Sequence, residues 1–277
     1  MKLSVSMWSL WPKISKQEAD LKDFLRFCWE QKVQYVELLD IFIPDQETLQ
    51  EAKTLLDKYS LTVSSFSIGN DFVQEKEEDR KKEVETIKEK LKVATQLGAA
   101  HMRVFSGNMQ EGITFETAKQ WIIDGFKEVV PYAQEQGITL VLENHGLLAG
   151  KSTQVKEIIN AVGSPYFRAN PDTGNFLLAD EDPLQAVTSL KDLISFVHFK
   201  DLKEVPEGQG EYTALSGKKY EGTILGEGQV PMENILSFLA SSGYKGYVSI
   251  EYEGTTEPFE GTAKSIAFTK NLIASYH

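Results

Sequence analysis

Apolar runs of two different periods take turns along the whole chain, and this alternation restricts the fold more than any single motif. Runs suited to strands fall at 3–7, 35–39, 62–67, 100–105, 138–143, 166–170, 193–199 and 246–251. Stretches with helical spacing lie at 18–32, 46–59, 76–97, 115–136, 153–162, 183–190, 231–242 and 261–275. The third helical stretch puts Val84, Ile87, Leu91 and Ala94 on one face amid Lys and Glu. The fourth repeats the pattern with Phe115, Ala118, Ile122, Phe126 and Val129. Gly98, Gly137 and Gly243 each come just after a helical stretch, where a left-handed residue closes the last turn. Eight strands alternating with eight helices predict an α/β protein, a parallel (β/α)₈ TIM barrel forming a single domain over 1–277. An open doubly wound sheet is the competitor, but no glycine-rich phosphate loop comes after the first strand. No linker rich in Pro, Gly or Ser divides the chain. The longest break, 201–230, holds Glu207-Gly-Gln-Gly and Leu225-Gly-Glu-Gly-Gln. In a barrel it lies on the C-terminal face, where functional loops gather.

Charge narrows the partners. The chain has 41 acidic against 29 basic residues, a formal net charge of −12. Such a chain repels phosphate backbones and anionic lipid, so neither nucleic acid nor a membrane is an expected partner. Cys28 is the one cysteine, so no intrachain disulfide forms, and its apolar surroundings suit a buried small side chain. Residues 1–8 lack the apolar core and cleavage site of a signal peptide, and no stretch reaches the length of a membrane span. A cytoplasmic location is the expectation.

Three acids and one histidine stand at the ends of four successive strand-like runs: Glu143, Asp172, His198 and Glu251. Strand parity aims them the same way, because side chains alternate between two faces. Leu140, Leu142, Val197, Phe199, Val248 and Ile250 take the helix side. Glu143, His198, Lys200 and Glu251 then point inward, as do Glu37, Arg103 and Asp172. Isolated buried charges are costly, so these groups must be paired or ligated. A divalent cation meets the need of three carboxylates and leaves about one negative charge, which Lys200 or Arg103 offsets if either reaches the site. Each residue also has a plainer reading. Asp172 lies in turn chemistry, Asn170-Pro-Asp-Thr-Gly-Asn175. His198 suits a hydrogen-bonded core histidine, Glu143 can cap a loop, and Glu253 competes with Glu251. Glu37 reads as a supporting residue. His145 suits either substrate contact or loop packing. Trp8 and Phe72 suit either a pocket wall or the core.

The segments Leu140-Val-Leu-Glu-Asn-His-Gly, Asp172-Thr-Gly-Asn, Val197-His-Phe-Lys-Asp, Leu225-Gly-Glu-Gly-Gln-Val-Pro and Gly246-Tyr-Val-Ser-Ile-Glu resemble those of the xylose-isomerase-like TIM barrels, the sugar phosphate isomerase/epimerase group. The resemblance spans nearly the whole chain. It implies a metal site of Glu143, Asp172, His198 and Glu251, with Glu143 and Glu251 also moving the proton. In the ketose epimerases of this group a histidine often stands three positions after the Asp; here that position is Asn175. The His-Phe-Lys-Asp run looks more like branches containing dehydratases and uncharacterised isomerases. Endonuclease IV is similar in fold but uses several metals and many histidines. The four histidines here, His101, His145, His198 and His277, argue against a DNA repair enzyme.

Oxygen-rich ligation with one imidazole suits one divalent ion, Mn²⁺, Mg²⁺ or Co²⁺, with Zn²⁺ also compatible. Such an ion acidifies the C–H beside a chelated carbonyl. The expected activity is therefore a metal-dependent sugar isomerase or epimerase working through an enediolate. The alternatives are a dehydratase or lyase on a polyol-derived keto compound, and a non-catalytic sugar-binding barrel. The expected partner is a small carbohydrate, contacted by His145, Lys200, Arg103, Asn175 and Trp8. Related barrels are commonly oligomers, so a homodimer or homotetramer is the expected assembly.

Overall fold

Every run read as a strand forms one, and all eight pair in parallel. In the computed structural model, which describes residues 1–276, these are β1 (Lys2–Ser6), β2 (Tyr35–Leu39), β3 (Thr62–Ser67), β4 (His101–Val104), β5 (Thr139–Glu143), β6 (Phe167–Asn170), β7 (Phe196–Phe199) and β11 (Tyr247–Ile250). His277 lies outside the described residues. The spatial order β6-β5-β4-β3-β2-β1-β11-β7 runs around a barrel. Single bridges from Ala169 to Ile194 and from Asp172 to His198 join its two ends, so the barrel is nearly closed. Among the described residues, eight helices of seven residues or more cover the outside, including Gln46–Tyr59, Glu77–Gln96 and Phe115–Glu135.

The predicted parity holds. Val36, Met102, Val104, Leu140, Leu142, Val197, Val248 and Ile250 pack with the helices in the main core. Val141, Phe196 and Tyr247 form a separate cluster with Tyr35, which plugs the barrel interior. His101 packs against this plug, 5.5 Å from Phe196 and 5.6 Å from Tyr247. Burial lowers its pKa to about 4, so it sits there neutral, bonded to Ser64 and Ser195. With the lower barrel filled, a ligand can enter only from the C-terminal mouth.

One irregularity bears on that mouth. The β2–β3 register jumps from Val36↔Val63 to Glu37↔Ser65, which leaves Ser64 as an extra residue on β3. Because side-chain direction has period two, this extra residue flips the remainder of the strand. It keeps Phe66 in the outer core and turns Ser65 and Ser67 inward beside Glu37.

Two elements differ from the sequence expectation. The run 193–199 starts as a strand only at Phe196, because Lys191–Leu193 forms a 3₁₀ turn. The break 201–230 is largely a three-stranded antiparallel sheet, β8 (Asp201–Val205), β9 (Tyr212–Thr213) and β10 (Lys219–Thr223), in the order β8-β10-β9. Leu202, Ala214 and Tyr220 give it a small core of its own against Leu177 and Leu178. Asp201 ties down the loop after β10: its carboxylate accepts from the backbone amides of Gly226 and Gly228 at 2.9 Å and of Val230 at 3.1 Å. Two separate sequence motifs, His-Phe-Lys-Asp and Leu-Gly-Glu-Gly-Gln, are thus one clasp.

At Gly222, β10 passes so close to the Glu253 backbone carbonyl that a Cβ would strike it. Gly222→Ala is expected to lower stability by about 1–3 kcal/mol through forced displacement. Urea denaturation measures this; an unchanged midpoint would show that the insertion packs loosely on the barrel.

Candidate metal centre

The barrel delivers four ligand-type side chains to one point. Glu143 is the last residue of β5, Asp172 lies two residues beyond β6, His198 is inside β7, and Glu251 comes directly after β11. All four are buried, and one donor atom from each lies within 4.8 Å of the others. His198 Nδ1 is 3.2 Å from Glu143 Oε2 and 3.8 Å from Glu251 Oε2.

The second atom of each group is already committed. Asp172 Oδ1 accepts from the amides of Gly174 and Asn175, both at 2.9 Å. Glu143 Oε1 accepts from Asn175 Nδ2 at 3.2 Å, and Ser6 Oγ donates to Glu251 Oε1 at 3.5 Å. His198 Nε2 faces both oxygens of Glu37, at 3.0 and 3.1 Å. Glu143 Oε2, Asp172 Oδ2 and His198 Nδ1 are buried and make no well-formed hydrogen bond, although Glu143 Oε2 has His198 Nδ1 and Arg103 Nε each 3.2 Å away. A buried polar atom left wholly without a partner, as Asp172 Oδ2 is, costs about 1–3 kcal/mol. Three converging atoms, two of them carboxylate oxygens, match the donor set of a divalent cation.

Glu37 is the orienting residue. Ser67 donates to its Oε1 at 2.5 Å and Ser249 to its Oε2 at 2.7 Å, so the carboxylate is fixed on both sides. It engages His198 Nε2 and so turns Nδ1 toward the centre, the usual arrangement around a metal-bound imidazole. Burial opposes its ionisation, but the charges of His198 and Arg103 and the Ser67 hydroxyl lower its pKa.

Burial also works against the charge on Glu143, yet His198 and Arg103 hold it well below the usual carboxylate range. Arg103 Nε lies 3.2 Å from Glu143 Oε2, while its Nη1 donates to the Ile68 carbonyl at 2.8 Å. Asp172 and Glu251 lack such a partner. Burial pushes Asp172 up to about 6 and pushes Glu251 well above its ordinary value, with Glu143 adding repulsion in both cases. For His198, burial favours the neutral ring, but Glu37, Glu251 and Glu143 override it and raise its pKa.

A cavity of about 520 Å³ opens above this point. Arg103, His145, Asn175, Lys200 and Trp8 all line it; strand parity aims Arg103 and Lys200 inward. His145 stacks on Phe105 with ring centroids 4.0 Å apart, and burial lowers its pKa, so a neutral imidazole faces the cavity. Lys200 pairs with Glu253, Nζ to Oε1 at 3.0 Å, rather than with the four converging groups. Glu253 therefore does not compete with Glu251: it also accepts from the Trp8 indole N–H at 2.8 Å and from the Tyr212 hydroxyl. Phe72 does not line the cavity. It is fully buried in the outer core, edge-on to Phe126 with centroids 5.0 Å apart. Tyr212, Glu211 and Leu178 reach the cavity without having been foreseen. Tyr212 belongs to a two-residue strand beside glycines, too short for any period to show.

The chain is thus a parallel eight-stranded barrel with a buried acid-and-imidazole cluster at its mouth. The chain belongs to the family described as xylose isomerase-like TIM barrel, whose model matches residues 25–272. An inosose dehydratase from Bacillus thuringiensis (strain Al Hakam) is 26% identical over 164 residues, which are 56% of this chain and 55% of that protein. The match thus spans about half the length of that relative. A crystal structure of the IolI protein with a bound zinc atom superposes with a TM-score of 0.81 at 17% identity, covering 100% of this chain and 99% of the other. A D-tagatose 3-epimerase-like protein superposes with a TM-score of 0.79 at 19% identity, covering 100% and 98%. Both likenesses are of fold. Among the described residues no helix is long and apolar enough to cross a membrane.

The geometry can be tested at Glu37 and at Asp172. Glu37→Gln keeps all four converging side chains but loses the carboxylate behind His198, so Mn²⁺ affinity should fall about ten- to a hundredfold by calorimetry. In the metal-free protein, Asp172 holds its proton up to about pH 6, above its ordinary value of 3.8. The folded chain then binds more protons than the unfolded one between about pH 4 and 6, and stability falls as pH rises through that window. An ion reverses this by replacing the proton. Metal binding at pH 6 should therefore release protons, seen as a calorimetric heat that changes with the buffer's ionisation enthalpy.

Proposed function

We propose that this chain is a divalent-metal-dependent sugar isomerase or epimerase, with Glu143, Asp172, His198 and Glu251 as ligands to one ion, Mn²⁺, Mg²⁺, Co²⁺ or Zn²⁺. When bound, the ion polarises a substrate carbonyl and so acidifies the neighbouring C–H. The observation that carries the reading is the meeting of two buried glutamates from separate strands, Glu143 and Glu251, at one point with Asp172 and His198. Glu143, whose charge His198 and Arg103 sustain against burial, takes the proton from the carbon beside the carbonyl. Glu251 holds a proton only when it is not itself bound to the ion, and in that state it returns one to the neighbouring carbon or the opposite face. Arg103 and Lys200 offset negative charge that builds on the substrate. His145, Asn175 and Trp8 orient its hydroxyls.

Dehydration of a polyol-derived ketone on the same site is the second reading. It is supported by the inosose dehydratase relative and by Lys200, an ammonium at the cavity wall that would hydrogen-bond and orient a leaving hydroxyl. Burial opposes that charge, but Glu253 and Asp172 sustain it. Metal-loaded protein incubated with a panel of ketoses and inososes in D₂O separates the readings. Deuterium uptake with no loss of water is the expected result. Product lighter by one water means the second reading. Sugar binding with neither outcome means a non-catalytic barrel. Glu251→Gln should lower the exchange rate by about 10²–10⁴-fold, the usual worth of a positioned proton carrier.

A further inference from the structure

The cavity is larger than a simple sugar requires. A six-carbon ketose has some dozen non-hydrogen atoms and at crystal-like packing fills roughly 200 Å³, against the cavity's volume of about 520 Å³. Polar side chains line it, Asp40 and Glu211 as well as Arg103, His145, Lys200 and Glu253. Leu39, Ile41, Ile68, Leu147 and Leu178 supply apolar lining. Sugar hydroxyls set against such a wall would lose water without gaining partners, at a cost in free energy.

An aromatic track leads out of this cavity. The Trp8 ring, which lines it, is fixed by its N–H bond to Glu253. Trp11 stacks on Trp8 with centroids 5.1 Å apart and planes 9° from parallel, and Phe42 lies 5.8 Å beyond Trp11. Trp11 is 38% exposed and Ile41 51%, large apolar side chains left uncovered at the rim of a polar site. A continuous apolar surface that begins inside a ligand cavity and ends in solvent fits a ligand with an apolar end.

We infer that the substrate is a keto sugar or keto cyclitol bearing a flat apolar or aromatic substituent, whose polyol ring occupies the polar floor while the substituent lies along the Leu39–Ile41 wall and the Trp8–Trp11–Phe42 track. The inference rests on the function proposed above and goes further by naming a two-part substrate.

The test compares two keto glycosides that differ only in a methyl or a phenyl group on the same glycosidic oxygen. Calorimetric Kd and α-proton exchange in D₂O are measured on the Mn²⁺-loaded protein. The phenyl compound should bind at least about tenfold more tightly, as a buried aromatic contact of this kind provides. Trp11→Ala should bring the ratio of the two Kd values close to one. Equal binding of the two compounds overturns the inference, as does a ratio that Trp11→Ala leaves intact. If Trp11→Ala changes the oligomeric state with the ratio unmoved, the rim is a contact between copies of the chain and the inference also falls. Binding of both compounds without exchange would sink the proposed chemistry alone, because the Kd ratio still decides the inference.

Discussion

Negative charge crowded around one buried imidazole governs the design of this barrel. Four glutamate and aspartate side chains surround His198 at the mouth, Glu37 behind it and Glu143, Asp172 and Glu251 before it. Taken from water into a protein interior, such a cluster is unfavourable by several kcal/mol per unpaired charge. Arg103 relieves Glu143, and the Ser67 and Ser249 hydroxyls relieve Glu37. Nothing comparable meets the inward oxygen of Asp172. A divalent cation, as proposed above, would remove the largest remaining cost and give the cluster a chemical use.

The rest of the molecule serves this arrangement. The plug of Tyr35, Val141, Phe196 and Tyr247 closes the lower barrel. The extra residue at Ser64 sets β3 so that Ser67 reaches Glu37. The inserted sheet β8–β10 carries Tyr212 against Glu253, and Asp201 clamps the glycine loop that leads back to the barrel. These are contacts between residues far apart in the chain.

Much of this was legible in the sequence, and the physical reason is periodicity. Strand parity alone sends Glu37, Arg103, Glu143, Asp172, His198, Lys200 and Glu251 inward, because a strand gives each side chain only two directions. Most helix limits lie within a residue or two of the expected ones, since caps such as Asp45 and Asp182 fix where a helix begins. The insertion was not legible. Its strands of two to five residues are held by contacts with Leu177 and Leu178, which no local pattern reveals. Phe72 and Glu253 were ambiguous for a related reason: each lies outside a strand, where parity no longer says which way a side chain turns. The pairing of Glu253 with Lys200 and Trp8 required the assembled mouth.

Location of the ion is the most direct test of the central claim. A crystal of the protein soaked in Mn²⁺, measured for anomalous scattering, should show one ion within roughly 2.6 Å of Glu143 Oε2, Asp172 Oδ2, His198 Nδ1 and a Glu251 oxygen, as oxygen-ligated divalent ions require. An ion bound elsewhere would contradict the account. So would the absence of an ion from a site whose four side chains still converge.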